Sequence, residues 1–295
     1  MSLQDLEADI KQKPLESLAK IQLWQLAAVP FGNIVLHYSP HHVVSLDTET
    51  LFHKIVERRL GGYCMENNAF FATVLRSLRY DLYTTGGRVS YAIDEAYKDH
   101  QGYRGWSHML NIITVHGRKY MVDVGFGTLG ATQPIQLKDG EVVPSVPTSR
   151  GRLVYKHIAP CTDSSQRMWV FEVQSSPGSS WTPQYCFSEL EFLPQDFAVV
   201  NYRTSQSRTS WFTQRLVLTK LILDAERTRP VGSLTLSSNE LKQRLYGRSE
   251  TLVTCKTEEE RVNVLERYFD AELRLDEVRG IQGLPSEIKP SWEGS

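Results

Sequence analysis

At 295 residues, 41% apolar and 23% charged, the chain has material for two or three domains or one large one with an ample core. A net charge of −1 argues against a nucleic-acid or anionic-membrane partner, and no apolar run approaches the length of a membrane span. The opening MSLQDLEADIKQKP is polar and acidic, unlike a signal peptide. Cys64, Cys161, Cys186 and Cys255 lack metal-ligand or disulfide-framework spacing, so the expectation is a metal-free protein of the reducing cytoplasm.

Residues 1–85 read as mostly helical. Pro14 suits a first helical position, and Leu15, Leu18 and Ile21 supply an apolar face. VPFGNIVLHYSPHH reads as a connecting loop broken by Pro30, Gly32 and Pro40, with His37, His41 and His42 solvated. LDTETLFHKIVERRL is a further helix ending at Gly61-Gly62. Beyond it, Phe71, Val74, Leu75 and Leu78 recur at i, i+3, i+4 and i+7. Cys64 therefore opens a helix, where unpaired N–H groups and the dipole favour an anion and lower a thiol's pKa. A buried cysteine acting as a small hydrophobe is the plain alternative. Glu66, Asn67 and Asn68 oppose it, because they are polar where a core would be apolar. The reactive reading needs a base.

Residues 86–195 change period. RVSYAI, HMLNIITV, KYMVDVGF, RLVYKHI and MWVFEV are β-branched and aromatic with polar turns between, which predicts antiparallel hairpins. In SHMLNIITVHGRKYMVDVGFG, a two-residue turn at His116-Gly117 sets Val115 opposite Arg118. Continued along the strands, that register puts His108 and Asp123 on one face as diagonal neighbours, about 7–8 Å apart at Cα. A carboxylate between Val122 and Val124 needs a partner, and His108 is the nearest. Cys64, His108 and Asp123 then supply nucleophile, base and orienter. GFGTLG at 125–130 fits a dinucleotide fingerprint, but Pro134 leaves no room for the following helix, so that site is rejected. The loop can still offer N–H groups to an anion. Over residues 196–295, RLVLTKLIL reads as a strand and SSNELKQRLYG as a short helix stopped by Gly247. Thr257 and Glu260 cap a last helix, and the tail RGIQGLPSEIKPSWEGS lies along the surface.

These blocks together closely resemble the arylamine N-acetyltransferases. The family's R-G-G-x-C-x-E-x-N stands as Leu60-Gly61-Gly62-Tyr63-Cys64-Met65-Glu66-Asn67-Asn68, with Leu60 in place of the arginine. Its H-x-x-L-x-V strand is matched at His108, and V-D-V-G-F-G is unchanged at 122–127. PFEN becomes Pro30-Phe31-Gly32-Asn33, and a lid pattern is met at Asn201, Ser205, Ser210 and Phe212 with Arg208 at its proline position. The resemblance implies an α+β fold: an N-terminal helical bundle, a central antiparallel β-barrel and a C-terminal α/β lid, around a cysteine-protease-like Cys-His-Asp core. It implies a monomeric or weakly oligomeric enzyme that carries acetyl from acetyl-CoA through a Cys64 thioester to an arylamine or arylhydrazine. Phe31, Phe126 and Thr128 would face the amine, and Gly105, Gly125 and Gly127 would meet CoA. The competing enzyme class is a thiol hydrolase or transglutaminase-like protein using the same three residues, though papain-type surroundings of the cysteine are absent.

Overall fold

A computed structural model describes residues 2–94, 97 and 100–289. The N-terminal part packs α1 (Leu3–Gln12) and α2 (Pro14–Ala28) against α5 (Cys64–Ser77). Between them lie β1 (Phe31–Gly32), α3 (Ile34–His37) and α4 (Thr48–Phe52), the last continuing into one π-helical turn, His53–Glu57. Pro14 occupies the first turn of α2, where its missing N–H costs nothing. Phe71 and Leu75 of α5 are fully buried against Leu18, Ile113 and Val122.

Eight antiparallel strands form a nearly closed barrel: β2 (Asp81–Ser90), β3 (Tyr103–Val115), β4 (Arg118–Val122), β5 (Ile135–Gln136), β6 (Val142–Pro144), β7 (Arg150–Lys156), β8 (Met168–Gln174) and β9 (Thr182–Phe187). Their order is β5-β4-β3-β2-β9-β8-β7-β6. The β3–β4 hairpin keeps the expected register, with Val115 opposite Arg118 and Asn111 opposite Val122. His116 and Gly117 both take positive φ in the turn.

The C-terminal part holds α6 (Pro194–Gln206), α7 (Trp211–Gln214), strands β10 (Val217–Leu223), β11 (Pro230–Ser237), β12 (Glu240–Leu245) and β13 (Arg248–Thr254), then α8 (Glu258–Phe269) and α9 (Leu275–Arg279). Three expectations are corrected here. The segment expected as a helix after Ser238 is β12: Ser237 pairs with Glu240 across a tight turn at Ser238-Asn239, and ladder pairing on both sides overrides local helix propensity. The loop at Pro30–Asn33 contains β1, which joins the edge of this C-terminal sheet beside β10. His37 is not solvated but fully buried, whereas His41 is exposed as expected and His42 half-buried. The tail keeps to the surface for most of its length, as expected, and is pinned there: Ile281 is buried in the core beneath α8, and Ser286 reaches both Arg261 and His37. Residues 290–295 of that tail fall outside the described residues.

Gly32 explains its own presence. A Cβ there would lie 2.7 Å from the Val217 carbonyl and 2.8 Å from Leu218 Cγ, so β1 approaches β10 too closely for a side chain. Gly32→Ala should therefore cost about 1–3 kcal/mol by overpacking, read as a lowered urea midpoint; an unchanged midpoint would contradict this close approach.

Candidate active site

Cys64 is the first residue of α5 and is only 3% exposed. The turn that delivers it is built by backbone contact. Gly62 N–H donates to the Pro30 carbonyl at 3.2 Å, and Gly32 N–H donates to the Gly62 carbonyl at 2.9 Å. Gly61 has φ +61°, and a Cβ on it would meet the Pro30 oxygen at 2.2 Å, which is why glycine stands there. Glu66 folds back to accept the Tyr63 N–H at 3.0 Å, closing the helix start. Its carboxylate is 1% exposed and ion-paired with Lys54, which the π-helical turn carries to it. Burial raises the Glu66 pKa, and the Lys54 ammonium opposes that shift. With Leu60 where the family has arginine, Lys54 provides the cation this carboxylate requires.

His108 and Asp123 meet as the hairpin register expects. His108 Nε2 lies 2.7 Å from Asp123 Oδ2, and both residues are at most 2% exposed. The other oxygen, Oδ1, accepts from Asn68 Nδ2 at 2.9 Å and from the Gly125 N–H at 2.8 Å. Burial alone would favour a neutral imidazole. The Asp123 charge and hydrogen bond, with the Cys64 sulfur beside the ring, outweigh it and raise His108 to about 10. Burial likewise opposes ionised Asp123, but His108, Asn68 and Gly125 together hold its pKa below the ordinary value. Asp123 occupies Nε2, which leaves Nδ1 as the ring nitrogen for the sulfur. The ring packs against Tyr185 and Phe126, with centroids 4.7 and 5.1 Å away.

Asn68 is the residue that sequence reasoning missed. It lies one helical turn after Cys64, donates to the Met109 carbonyl and to Asp123, and accepts from the Val124 N–H. One side chain thus ties the sulfur's helix to the strand of the imidazole and the loop of the carboxylate. Its polarity inside an apolar helix face was the available signal. Asn201, from the lid pattern, binds the Tyr63 hydroxyl and the Val44 carbonyl. Gln22 Nε2 steadies the loop after β4 through the Asp123 and Ala131 carbonyls.

The remaining expected residues divide. Phe31, Gly127 and Thr128 line one small pocket with Thr219, and Phe31 stacks edge-on with Phe212 at 6.2 Å. Phe126 covers the His108 ring. Gly125 was expected to offer its N–H to CoA, but that N–H is engaged by Asp123, and a Cβ here would strike Cys64 Cα at 2.6 Å. It is a packing glycine. Gly105 is exposed on β3, with its carbonyl accepting from the Ser107 hydroxyl. Among the described residues no group of three or more His, Cys, Asp or Glu is arranged to hold a metal ion, and no helix is long and apolar enough to cross a membrane. The arrangement as a whole is a thiol at a helix start, an imidazolium and a buried carboxylate, suited to transferring an acyl group through the sulfur.

Comparison with known proteins follows the same lines. A family model described as N-acetyltransferase matches residues 14–278. N-malonyltransferase FDB2 of Gibberella moniliformis is 38% identical over 285 residues, which is 93% of this chain and 83% of that protein. Arylamine N-acetyltransferase, pineal gland isozyme NAT-10, of Gallus gallus is 32% identical over 142 residues, 48% of this chain and 47% of its own length. The arylamine N-acetyltransferase of Mycobacterium abscessus superposes with a TM-score of 0.77 at 24% identity, covering 95% of this chain and 93% of that one. The Mycobacterium marinum arylamine N-acetyltransferase, solved in complex with CoA, gives a TM-score of 0.74 at 25% identity, covering 92% and 93%.

Two outcomes test the site's electrostatics. Lys54→Met should destabilise the protein by roughly 3–5 kcal/mol, because it strands a buried carboxylate, and Lys54→Met/Glu66→Gln should recover much of that loss in chemical denaturation. Equal stability of the single and double variants would refute the pairing. The raised His108 contributes stability in full below the ordinary 6.5 and loses it as pH climbs towards about 10. The lowered Asp123 contributes above the ordinary 3.8 and loses its share as pH falls. The melting-temperature gap between wild type and Asp123→Asn should therefore shrink as pH rises from 6.5 to about 10. A gap that stays constant over that range would sink the assignment.

Proposed function

The chain belongs to the arylamine N-acetyltransferase family, and we propose that it is an acyl-CoA-dependent N-acyltransferase that carries acetyl through a Cys64 thioester to an aromatic amine or hydrazine. The observation that supports this reading best is the buried His108–Asp123 pair beside a thiol that begins a helix. In the proposed first half-reaction the ionised sulfur attacks the acyl carbon, and first-turn N–H groups of α5 face the developing oxyanion. CoA leaves as a thiolate and takes the His108 proton. In the second half-reaction the amine attacks the thioester and gives its proton to His108, and the Cys64 sulfur departs. Asp123 keeps the ring oriented throughout and favours its charged form each time the proton returns. An aromatic amine suits this scheme because it is largely unprotonated near neutral pH. Phe31, Phe126 and Thr128 are the residues proposed to face it, and the reaction is proposed to be cytoplasmic.

A second donor reading rests on a specific observation. In sequence, relatives named N-malonyltransferase match over 93% of this chain, whereas the arylamine N-acetyltransferases of Gallus gallus match over about half. Malonyl in place of acetyl keeps every step above and changes only the acyl group.

Mixed with either thioester alone, the protein should release about one CoA per active site promptly and then slow, and Cys64→Ala should release none. The donor with the larger kcat/KM, measured with a common acceptor such as 4-methoxyaniline, identifies the acyl group. Steady CoA release without an amine would point instead to a thiol hydrolase, and full amine acylation by Cys64→Ala would refute the nucleophile.

A further inference from the structure

The outer face of the barrel carries a group of sulfurs that the reactive site does not use. Val170 of β8 stands opposite Cys186 of β9, so Met168, two residues earlier, is a diagonal neighbour of Cys186 on the same face. Cys186 Sγ lies 3.8 Å from Met168 Sδ; the cysteine is buried and the methionine half-buried. After β7 the chain turns back over this patch. The Cys161 N–H donates to the Ile158 carbonyl at 3.0 Å, and His157 Nε2 donates to the Cys161 carbonyl at 2.9 Å. That turn packs Cys161 against the cluster of Ile158, Val170 and Cys186. Tyr185 points the other way, onto the His108 ring, so β9 separates the patch from the reactive site.

A buried thiol or thioether is by itself ordinary core filling. Here three sulfurs come together beside a cation. Arg88 of β2 pairs directly with Cys186, which sets the two side chains on one face, and its guanidinium lies 4.2 Å from the Trp106 ring. Burial pushes the Cys186 thiol up to about 12, and the Arg88 charge opposes that shift. Cys186 therefore keeps its proton until a stronger cation takes the proton's place, as a metal ion does. Metal–sulfur bonds of about 2.3 Å spread over a trigonal plane put neighbouring sulfurs about 4 Å apart, close to the spacing of Cys186 and Met168. Thiolate and thioether ligands select Cu(I). Zinc calls for four harder ligands, and among the described residues no third His, Cys, Asp or Glu joins the two cysteines.

We propose that Cys161, Cys186 and Met168 form a binding site for a single Cu(I) ion, with Arg88 as its counter-charge. Binding exchanges the two thiol protons for two copper–thiolate bonds and releases both protons to solvent; the thioether adds the third bond without losing a proton. Copper stays monovalent, so no oxidant or reductant takes part. Two thiolates around one monovalent ion leave a single net negative charge, which the half-buried Arg88 guanidinium offsets. Half-exposed Cys161 gives the ion its way in from solvent. The site stands independently of the acyl-transfer reading above.

The test titrates the full chain carrying Cys64→Ala, which removes the reactive thiol as a rival ligand, with Cu(I) under anaerobic conditions against the chelator bicinchoninate. One Cu(I) per chain should be retained, and Zn(II) should not. Met168→Leu, close in volume and so unlikely to disturb the fold, should weaken Cu(I) binding about a hundredfold; Arg88→Gln should weaken it about tenfold, with Arg88→Lys keeping most of it. Cys161→Ser and Cys186→Ser should each abolish retention while circular dichroism stays native. Affinity should fall as pH falls, because both thiols must lose protons. No copper held by the Cys64→Ala chain, or unchanged affinity in Met168→Leu, would overturn the site. Loss in Cys186→Ser with Cys161→Ser unaffected would also overturn it, since that is the behaviour of a single thiol.

Discussion

The His108–Asp123 pair is the constraint from which the rest follows. Both groups are almost wholly removed from water, and burial opposes the charge on each. Neither ion is tolerable alone, since removing one partner of a buried pair costs several kcal/mol. The carboxylate survives because an imidazole, an asparagine and a backbone N–H converge on its two oxygens. Those donors come from α5, β3 and the loop after β4, so satisfying one carboxylate fixes three distant pieces of chain relative to one another.

Polar contacts extend that arrangement outward in both directions. Asn68 shares its helix with Cys64 and fixes the height of the sulfur over the carboxylate's loop. On the other side, Asn33 accepts from the Val217 N–H and donates to the carbonyls of Phe212 and Arg215, tying the Phe31 turn to α7 and β10. His37 sits behind Asn33, pushed down to about 4 chiefly by burial, with its Nδ1 2.6 Å from the Ser286 hydroxyl. Arg261, fully buried, closes the network through Tyr38, Glu258 and the Ser238 and Ser286 carbonyls. Such networks hold when every member is satisfied. Their cost, like that of the Lys54–Glu66 pair, is borne for placement rather than for stability.

The same scaffold is shared with proteins named for malonyl transfer and for acetyl transfer. The thiol, imidazole and carboxylate would serve either acyl group, so a preference between them has to arise in the walls of the pocket.

What the sequence determined by itself is local. The helix that starts at Cys64, the turn at His116-Gly117, and the shared face of His108 and Asp123 follow from periods of 3.6 and 2 within a short span. The polar run Glu66-Asn67-Asn68 announced that something other than core lay there, although not what each residue would touch. The tertiary structure alone decided which distant partners satisfy them. β12 reads as helix until strands on both sides claim its backbone, and β1 reads as loop until β10 arrives. His37 reads as solvated until Asn33, the Phe212 carbonyl and Ser286 enclose it. In each case the deciding hydrogen bonds or buried contacts join residues far apart in the chain, and no local pattern encodes a partner that only folding brings near.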